Sequence, residues 1–478
     1  MMTTDTLTKT YDIHAGTTLA EFKSIFQGKL ITPVEGDYEQ ARMGWNLSFQ
    51  QHPAIIVIAQ NSEQIVDALR YASAKGMGVS VRSTGHGGIL PADNGMLIVT
   101  SAMNEVQIDP DGRTARVGAG ARWGEVLEAA QTHGLAPLLG SSPTVGVVGY
   151  SLGGGLGWLA RRYGLAADSV QAIEMVSAHG QTLVASAKEN RDLFWAMRGG
   201  GGSFGVVTAL EVKLVPVRNV FGGNLIYPVE LAGEVFKSYR IWTMNLPEEW
   251  TTSVRLTNFP PIEVVPEFLR GRSVVMVSGC FCGDVDQGEA YMADWFEWGA
   301  HIQNDFRIMP FSEVASISQD PQDPVPGSHS GSWLKELSDE AIDSIIRFGT
   351  PQNGPCPLTI TEVRHVGGAM ARVSNDENAF GQREFPLLMD IVAMIPNPEM
   401  HEEVREHIRR FKAALGPQLP KGAYMNFLGG EEARRNSYQA FGEEKYARLA
   451  AIKNRYDPKN LFRFGYDISP SGVEGVTS

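Results

Sequence analysis

A histidine framed by glycines is the residue in this chain whose type and setting most plainly invite chemistry. It is His86, in the run V-R-S-T-G-H-G-G from Val81 to Gly88. A second glycine-rich run, G-S-S-P-T-V-G-V-V-G-Y-S-L-G-G-G-L-G, extends from Gly140 to Gly157. Glycine permits positive φ and lets the backbone come close to a ligand, so its N–H groups can line a diphosphate. With Gly85 and Gly87 on either side, little shields the His86 ring. The combination predicts a cofactor held along its length and joined to the protein covalently.

Two stretches also spell a dinucleotide fingerprint. Gly200–Gly205 fits G-x-G-x-x-G and Gly155–Ala160 fits G-x-G-x-x-A. That fingerprint works only when a strand precedes it and a helix follows, so that the pyrophosphate meets a helix N-terminus. Before Gly200 lies the helical pattern D-L-F-W-A-M-R, and after it the strand pattern V-V-T-A-L-E-V. The order is reversed, which argues against a nicotinamide-type site. In H-E-E-V-R-E-H the histidines His401 and His407 fall on different helix faces, and no cysteine–histidine cluster or G-x-S-x-G elbow occurs.

The elements that would position these loops can be read from periodicity. Ala54–Ala59 is a buried-strand pattern, followed by a helix capped by Asn61 with Gln64 at the capping-box position and stopped by Gly76. Met77–Val81 then leads as a strand into the first loop. Strands at Met96–Thr100 and Thr114–Gly118 and a helix at Trp123–His133 run down to the second. Helices are expected at Trp158–Arg162 and Ala187–Met197, with strands at Ser169–Val176 and Val206–Leu214. Beyond about residue 218 come strand-like runs at Ser273–Cys282 and Pro386–Met394, a helix at His401–Leu415 and a Pro/Gly/Ser-rich loop at Ser318–Ser332. A last helix is expected at Glu443–Tyr456. The fold class is therefore α+β. Its expected parts are an N-terminal segment (1–47), a cofactor domain (48–217), a substrate domain (218–423), a C-terminal segment (424–470) and a frayed tail (471–478).

The 478 residues suffice for two or three cores. A net charge of −13 argues against nucleic acid as a partner, and no run is long enough to span a membrane. The N-terminus has no apolar leader, and Cys280, Cys282 and Cys356 are too few for a disulfide framework, which together suggest a cytoplasmic location. Cys280 and Cys282 read as small core residues. The composition does not reveal the oligomeric state.

The ordered set of motifs resembles a family. R-S-T-G-H-G-G, then S-P-T-V-G-V-V-G-Y-S-L-G-G-G-L-G-W-L-A-R-R-Y-G-L-A-A-D-S, D-L-F-W-A-M-R-G-G-G-G-S-F-G-V-V-T, V-G-G-A-M-A-R-V and Y-D-P-K-N-L-F-R are similar to the berberine-bridge-enzyme-like FAD oxidases. These belong to the p-cresol methylhydroxylase/vanillyl-alcohol oxidase superfamily, so the resemblance implies a two-part PCMH-type FAD-binding domain with a second α+β substrate domain. It implies that Arg82, Ser83, Thr84, Gly85, His86 and Gly87 wrap the FAD diphosphate with Pro143, Thr144, Val145 and Gly146. Gly149, Gly153, Gly154, Gly155 and Gly157 would continue the cradle, and Asp168 and Val207 would lie near the ribose or adenine. His86 takes the position of the 8α-histidyl link. Ser142 stands where many members carry a second linking cysteine, so attachment through His86 alone is expected.

The acid/base site departs from the pattern. The family's Y-x-N-Y reads Y-M-N-F here, which puts Phe427 at the position of a basic tyrosine. The position of another member's glutamate falls near Leu388, and Asp390, two residues on, would share its strand face. Asp390, Tyr424 and Tyr466 are therefore the candidate catalytic residues. The implied reaction is hydride transfer from a C–H next to a hydroxyl or amine of a small organic substrate to the flavin. Dioxygen would be the final acceptor, which a small residue at Val145 favours in this family.

Overall fold

The computed structural model describes residues 13–470, so the expectations for the extreme N-terminus and the tail 471–478 lie outside the described residues. Three sheets organise the chain. The first orders Lys29–Ile31, Ile55–Ile58, Met96–Val99 and Val79–Arg82, the last three parallel. Its Met-Leu-Ile-Val strand is buried throughout, as a parallel strand covered on both faces requires. The helix Ser62–Ala74 is capped by the Asn61 side chain, which accepts from Gln64 N. The Gln64 side chain accepts from Gln60 N rather than closing a box on Asn61.

The second sheet is antiparallel, in the order Val106–Asp109, Thr114–Gly118, Gly205–Lys213, Val170–Ser177, Thr182–Ser186. The helix before the Gly200 run begins only at Arg191, because Asn190 is left-handed (φ 45°) and Ser186 Oγ holds the preceding turn through Lys188 N and Glu189 N. The reversed order of helix and strand around Gly200 is thus present in three dimensions.

The third sheet begins at Asn219 and has eight strands. At its centre Trp250–Asn258 pairs with Ile360–His365, which pairs with Leu387–Met394, which pairs with Gly327–Leu334, all antiparallel. The segment Ser318–Ser332 is therefore not wholly loop: its second half is strand, held by pairing along its length with Leu387–Met394. Side chains alternate across these strands. Val254, Leu256, Val363, Met389 and Ile391 pack under the helices Ala232–Thr243, Asp339–Gly349 and Met400–Leu415. Their neighbours Arg255, Glu362, Arg364 and Asp390 consequently line the opposite face.

The C-terminal segment returns to the first sheet. Val79 N donates to Leu461 O at 2.8 Å, and Leu461 and Phe462 complete that sheet's core. The physical content of Y-D-P-K-N-L-F is a buried turn: the Asp457 carboxylate accepts from Leu461 N, Phe462 N and Lys453 Nζ. Lys453 also reaches Ser203 O, so this fully buried pair ties the last helix, Glu443–Tyr456, to the Gly200 run.

Candidate active site

The strand Val79–Arg82 delivers the first loop against a second stretch of backbone. Trp45 N donates to Thr84 O at 2.9 Å and Asn46 N to Gly85 O at 3.0 Å. Gly85 has φ +82°, and a Cβ there would lie 2.7 Å from Gly44 Cα, so both glycines are required for this approach. The result is a fixed His86. Its Nδ1 stands 2.9 Å from Thr84 Oγ1, its Nε2 stands 3.1 Å from Thr144 Oγ1, and its ring stacks on Trp45 at 4.3 Å. Burial, then the charges of Arg122 and His329, push its pKa down to about 4. At neutral pH the imidazole is uncharged and keeps a lone pair on one nitrogen.

Thr144 also stands 2.8 Å from Ser142 Oγ, and Gly146 N donates to Thr84 Oγ1 at 3.3 Å. The two glycine loops therefore meet through a pair of threonines around His86. Two features suit this junction to an extended polar cofactor. Ser83 Oγ is buried without a hydrogen-bond partner in the protein, and the Cα atoms of Gly87 and Gly149 face space in which a Cβ would meet nothing within 4 Å. Arg82, by contrast, turns away. Its guanidinium donates to Ala41 O and Arg42 O, and burial pushes its pKa down to about 10.

The later glycines serve a different purpose from the one expected. A Cβ on Gly153 would strike Asn426 Oδ1, on Gly154 the Phe380 ring, on Gly155 the Tyr150 ring and on Gly157 the Leu139 carbonyl. Gly155 N and Leu156 N both donate to the Tyr424 hydroxyl at 3.0 Å, and Asn426 Nδ2 adds a third contact. These two amides are spent within the chain and do not line a diphosphate. Asp168 differs from expectation in the same way. Its carboxylate accepts from Leu165 N, Asn378 Nδ2 and both Nη1 and Nη2 of Arg383, which leaves it no lone pair for a ribose. Val207 lies in the core of the second sheet, opposite Met175.

Tyr424 is thus the clasp that holds the second loop; burial, outweighing its hydrogen bonds, pushes its phenol up to about 12. Tyr466 lays its ring on Gly201, and burial raises its phenol well above the ordinary value. Asp390 lies on the inner face of the third sheet, opposite Gly331 on one side and Glu362 on the other. Its side chain is 6% exposed, and Oδ1 has no hydrogen-bond partner in the protein and lies 3.7 Å from Nδ1 of His329. His329 is 41% exposed, and its charge is among those that lower the His86 pKa. Arg364 donates to Glu362 at 2.7 Å and lies 4.9 Å over the ring of Phe427, which packs against Gly331. Sequence reasoning missed Trp45, His329, Glu362 and Arg364. The polar alternation of T-E-V-R-H and G-S-H-S-G was the available signal.

Comparison with known proteins bears on the same two parts. Residues 53–186 match the FAD binding domain model, and residues 423–468 match the model described as berberine and berberine like. An uncharacterized FAD-linked oxidoreductase of Bacillus subtilis is 30% identical over 459 residues, covering 94% of this chain and 98% of the relative. The chain belongs to the berberine-bridge-enzyme-like FAD-linked oxidoreductases. The (R)-6-hydroxynicotine oxidase of Paenarthrobacter nicotinovorans is 28% identical over 468 residues, covering 93% and 97% of the two chains. The solved structure of 6-hydroxy-D-nicotine oxidase from Arthrobacter nicotinovorans superposes with TM-score 0.82 at 26% identity, covering 93% and 98%. In this oxidoreductase the FAD-binding match contains both loops and His86, and the berberine-like match contains Tyr424 and Tyr466. Among the described residues no cluster of metal-ligating side chains occurs, and no helix is long and apolar enough to cross a membrane.

Proposed function

We propose that this protein is an FAD-dependent oxidase of small organic alcohols or amines, with the flavin joined to His86 alone. The observation that carries the reading is the setting of His86. A neutral imidazole, its ring held flat on Trp45 and its nitrogens addressed by two threonine hydroxyls, is an aligned nucleophile rather than a surface histidine. When bound, FAD accepts a hydride from a C–H next to a hydroxyl or amine and returns the electrons to dioxygen as hydrogen peroxide. The chain's own part is to bind, orient and move a proton. Ser83, Thr84, Thr144, Gly87 and Gly149 form the side of the cradle that is open to the cofactor. Ser142 satisfies its hydroxyl on Thr144 and supplies no thiol for a second link. The inner face of the third sheet, with His329 and Arg364, holds the substrate against the cradle, and Asp390 stands beside His329.

Anaerobic mixing of the purified yellow protein with a panel of alcohols, sugars and amines tests the reaction. Bleaching by at least one of them, followed by rapid return of colour and peroxide in air, is expected. Absence of bleaching across the panel overturns the oxidative reading. Bleaching that persists in air overturns the oxidase in favour of a dehydrogenase.

A further inference from the structure

We propose that His329 and Asp390 form the proton-accepting pair of this site, with His329 Nε2 taking the hydroxyl or amine proton and Asp390 positioning the ring through Nδ1. The inference rests on the oxidative reading above and assigns its acid/base chemistry. Asp390 is too enclosed to touch a substrate: its side chain is 6% exposed, against 41% for His329, and its Oδ1 lies 3.7 Å from Nδ1 of His329. One of its oxygens is buried without a hydrogen-bond partner in the protein, an expensive arrangement unless the group is used. His329 shows the complementary pattern. It is the exposed member of the pair, and its charge helps lower the pKa of His86.

The other candidates on this side of the cleft are committed elsewhere. The Tyr424 hydroxyl accepts two backbone N–H groups, and burial raises both Tyr424 and Tyr466. Glu362 is bonded to Arg364, and despite burial Arg364 and Arg255 hold its carboxyl below the ordinary range. Phe427 has no proton to exchange. The charged groups that act on His329 are Asp390 from the neighbouring strand, Arg364 from the strand beyond it and Asp320 from the loop before its own strand, and His329 in turn acts on His86. Burial alone would lower the imidazole, but Asp390 and Asp320 outweigh burial and Arg364 and leave it above its ordinary value. A histidine so placed is a stronger base than an ordinary imidazole.

In the step, the Nε2–H bond forms as the substrate O–H or N–H bond breaks. The freed pair closes a C=O or C=N bond, and the adjacent C–H bond breaks with its hydride passing to FAD, the oxidant of the proposed reaction. Shortening of the 3.7 Å gap between Nδ1 and Asp390 Oδ1 to hydrogen-bond distance in the substrate complex fixes the tautomer with its lone pair on Nε2.

The test uses the flavin-loaded protein and needs no known substrate for its first arm. Diethyl pyrocarbonate modifies neutral imidazole, and peptide mass spectrometry reads its rate at His329 against pH. The expected midpoint lies above the ordinary ~6.5 in the wild type and falls by about one pH unit in Asp390→Asn. Asp390→Glu should restore part of the shift. An unchanged midpoint in Asp390→Asn, or a His329 that never reacts, overturns the pair. The second arm uses whichever panel member bleaches the flavin. His329→Gln that keeps its flavin spectrum should lose about 10²–10⁴-fold in kcat/KM and the ascending limb of the pH profile. Should His329→Gln lose its flavin, Asp390→Asn carries this arm, its ascending limb moving to lower pH. Wild-type bleaching with kcat/KM unchanged in His329→Gln overturns this inference alone, whereas no bleaching in the wild type overturns the oxidative reading and the proton transfer with it.

Discussion

The Thr144 hydroxyl stands 3.1 Å from Nε2 of His86, and through that contact the second glycine loop decides how the first presents its histidine. Thr144 also meets Ser142 Oγ at 2.8 Å, so one hydroxyl links the proposed tether to the position where a second link is missing. Thr144→Val removes the contact while keeping the volume. A single hydrogen bond is worth about 1 kcal/mol, so flavin attachment should slow by roughly fivefold. The rate at which added FAD becomes acid-stable in the apoprotein measures it. Ser142→Ala should leave the amount of acid-stable flavin unchanged.

Tyr424 is a structural clasp. Its hydroxyl is the acceptor for Gly155 N and Leu156 N. Tyr424→Phe leaves two buried donors unmet, which should cost about 2–4 kcal/mol. A lowered urea midpoint with His86-bound flavin still present is the expected outcome. Equal stability together with a large loss of turnover would point instead to a direct chemical role.

Asp168 and Arg383 form a pair whose side chains are 10% and 3% exposed and which joins the cofactor domain to the segment 378–383. Removing one partner strands the other as a buried charge. Asp168→Ala should therefore lose about 3–5 kcal/mol of stability, and the double variant with Arg383→Ala should lose less than the sum. A ribose-binding aspartate would give the opposite pattern, with weakened FAD retention and near-native urea resistance.

His365 gives the protein an acid-sensitive joint. It is half-buried beside Arg161, whose Nη1 donates to the ring and, after desolvation, helps push its pKa down to about 3. The unfolded chain, with an ordinary value of about 6.5, takes up this proton first. The favourable state, with neutral His365 in the fold, is fully retained above about pH 6.5 and is lost as pH falls from there toward 3. Urea midpoints at successive pH values should fall through that window. His365→Gln should flatten the slope by up to about 1.4 kcal/mol per pH unit.

Much of this architecture was legible because local rules and packing agree. The all-apolar M-L-I-V, the Asn61 cap, the Gly76 stop and the helix Glu443–Tyr456 satisfy their own backbones and bury their own stripes. The strand Gly327–Leu334 was not legible. Gly327, Ser328, Ser330 and Gly331 read as loop, and only pairing with Leu387–Met394 and the close approach of Phe427 to Gly331 make them a strand. His329 was hidden for that reason. The loops were legible, but the local role of each glycine was not. A glycine open to a ligand and a glycine pressed against Tyr150 or Asn426 look alike in sequence, and only the tertiary neighbours separate Gly87 and Gly149 from Gly153 and Gly155. The pairing of Asp168 was not legible because its partner Arg383 is distant in the chain.

The central claim is that His86 carries the flavin and carries it alone. The most direct measurement is the mass of the tryptic peptide that begins at Ser83, after Arg82, from acid-precipitated, washed protein. The account predicts this peptide heavier by one FAD less two hydrogens, with fragment ions placing the addition on His86, and the colour gone from pellets of His86→Ala. An unmodified peptide, with all the yellow colour in the acid supernatant of the wild type, would contradict it.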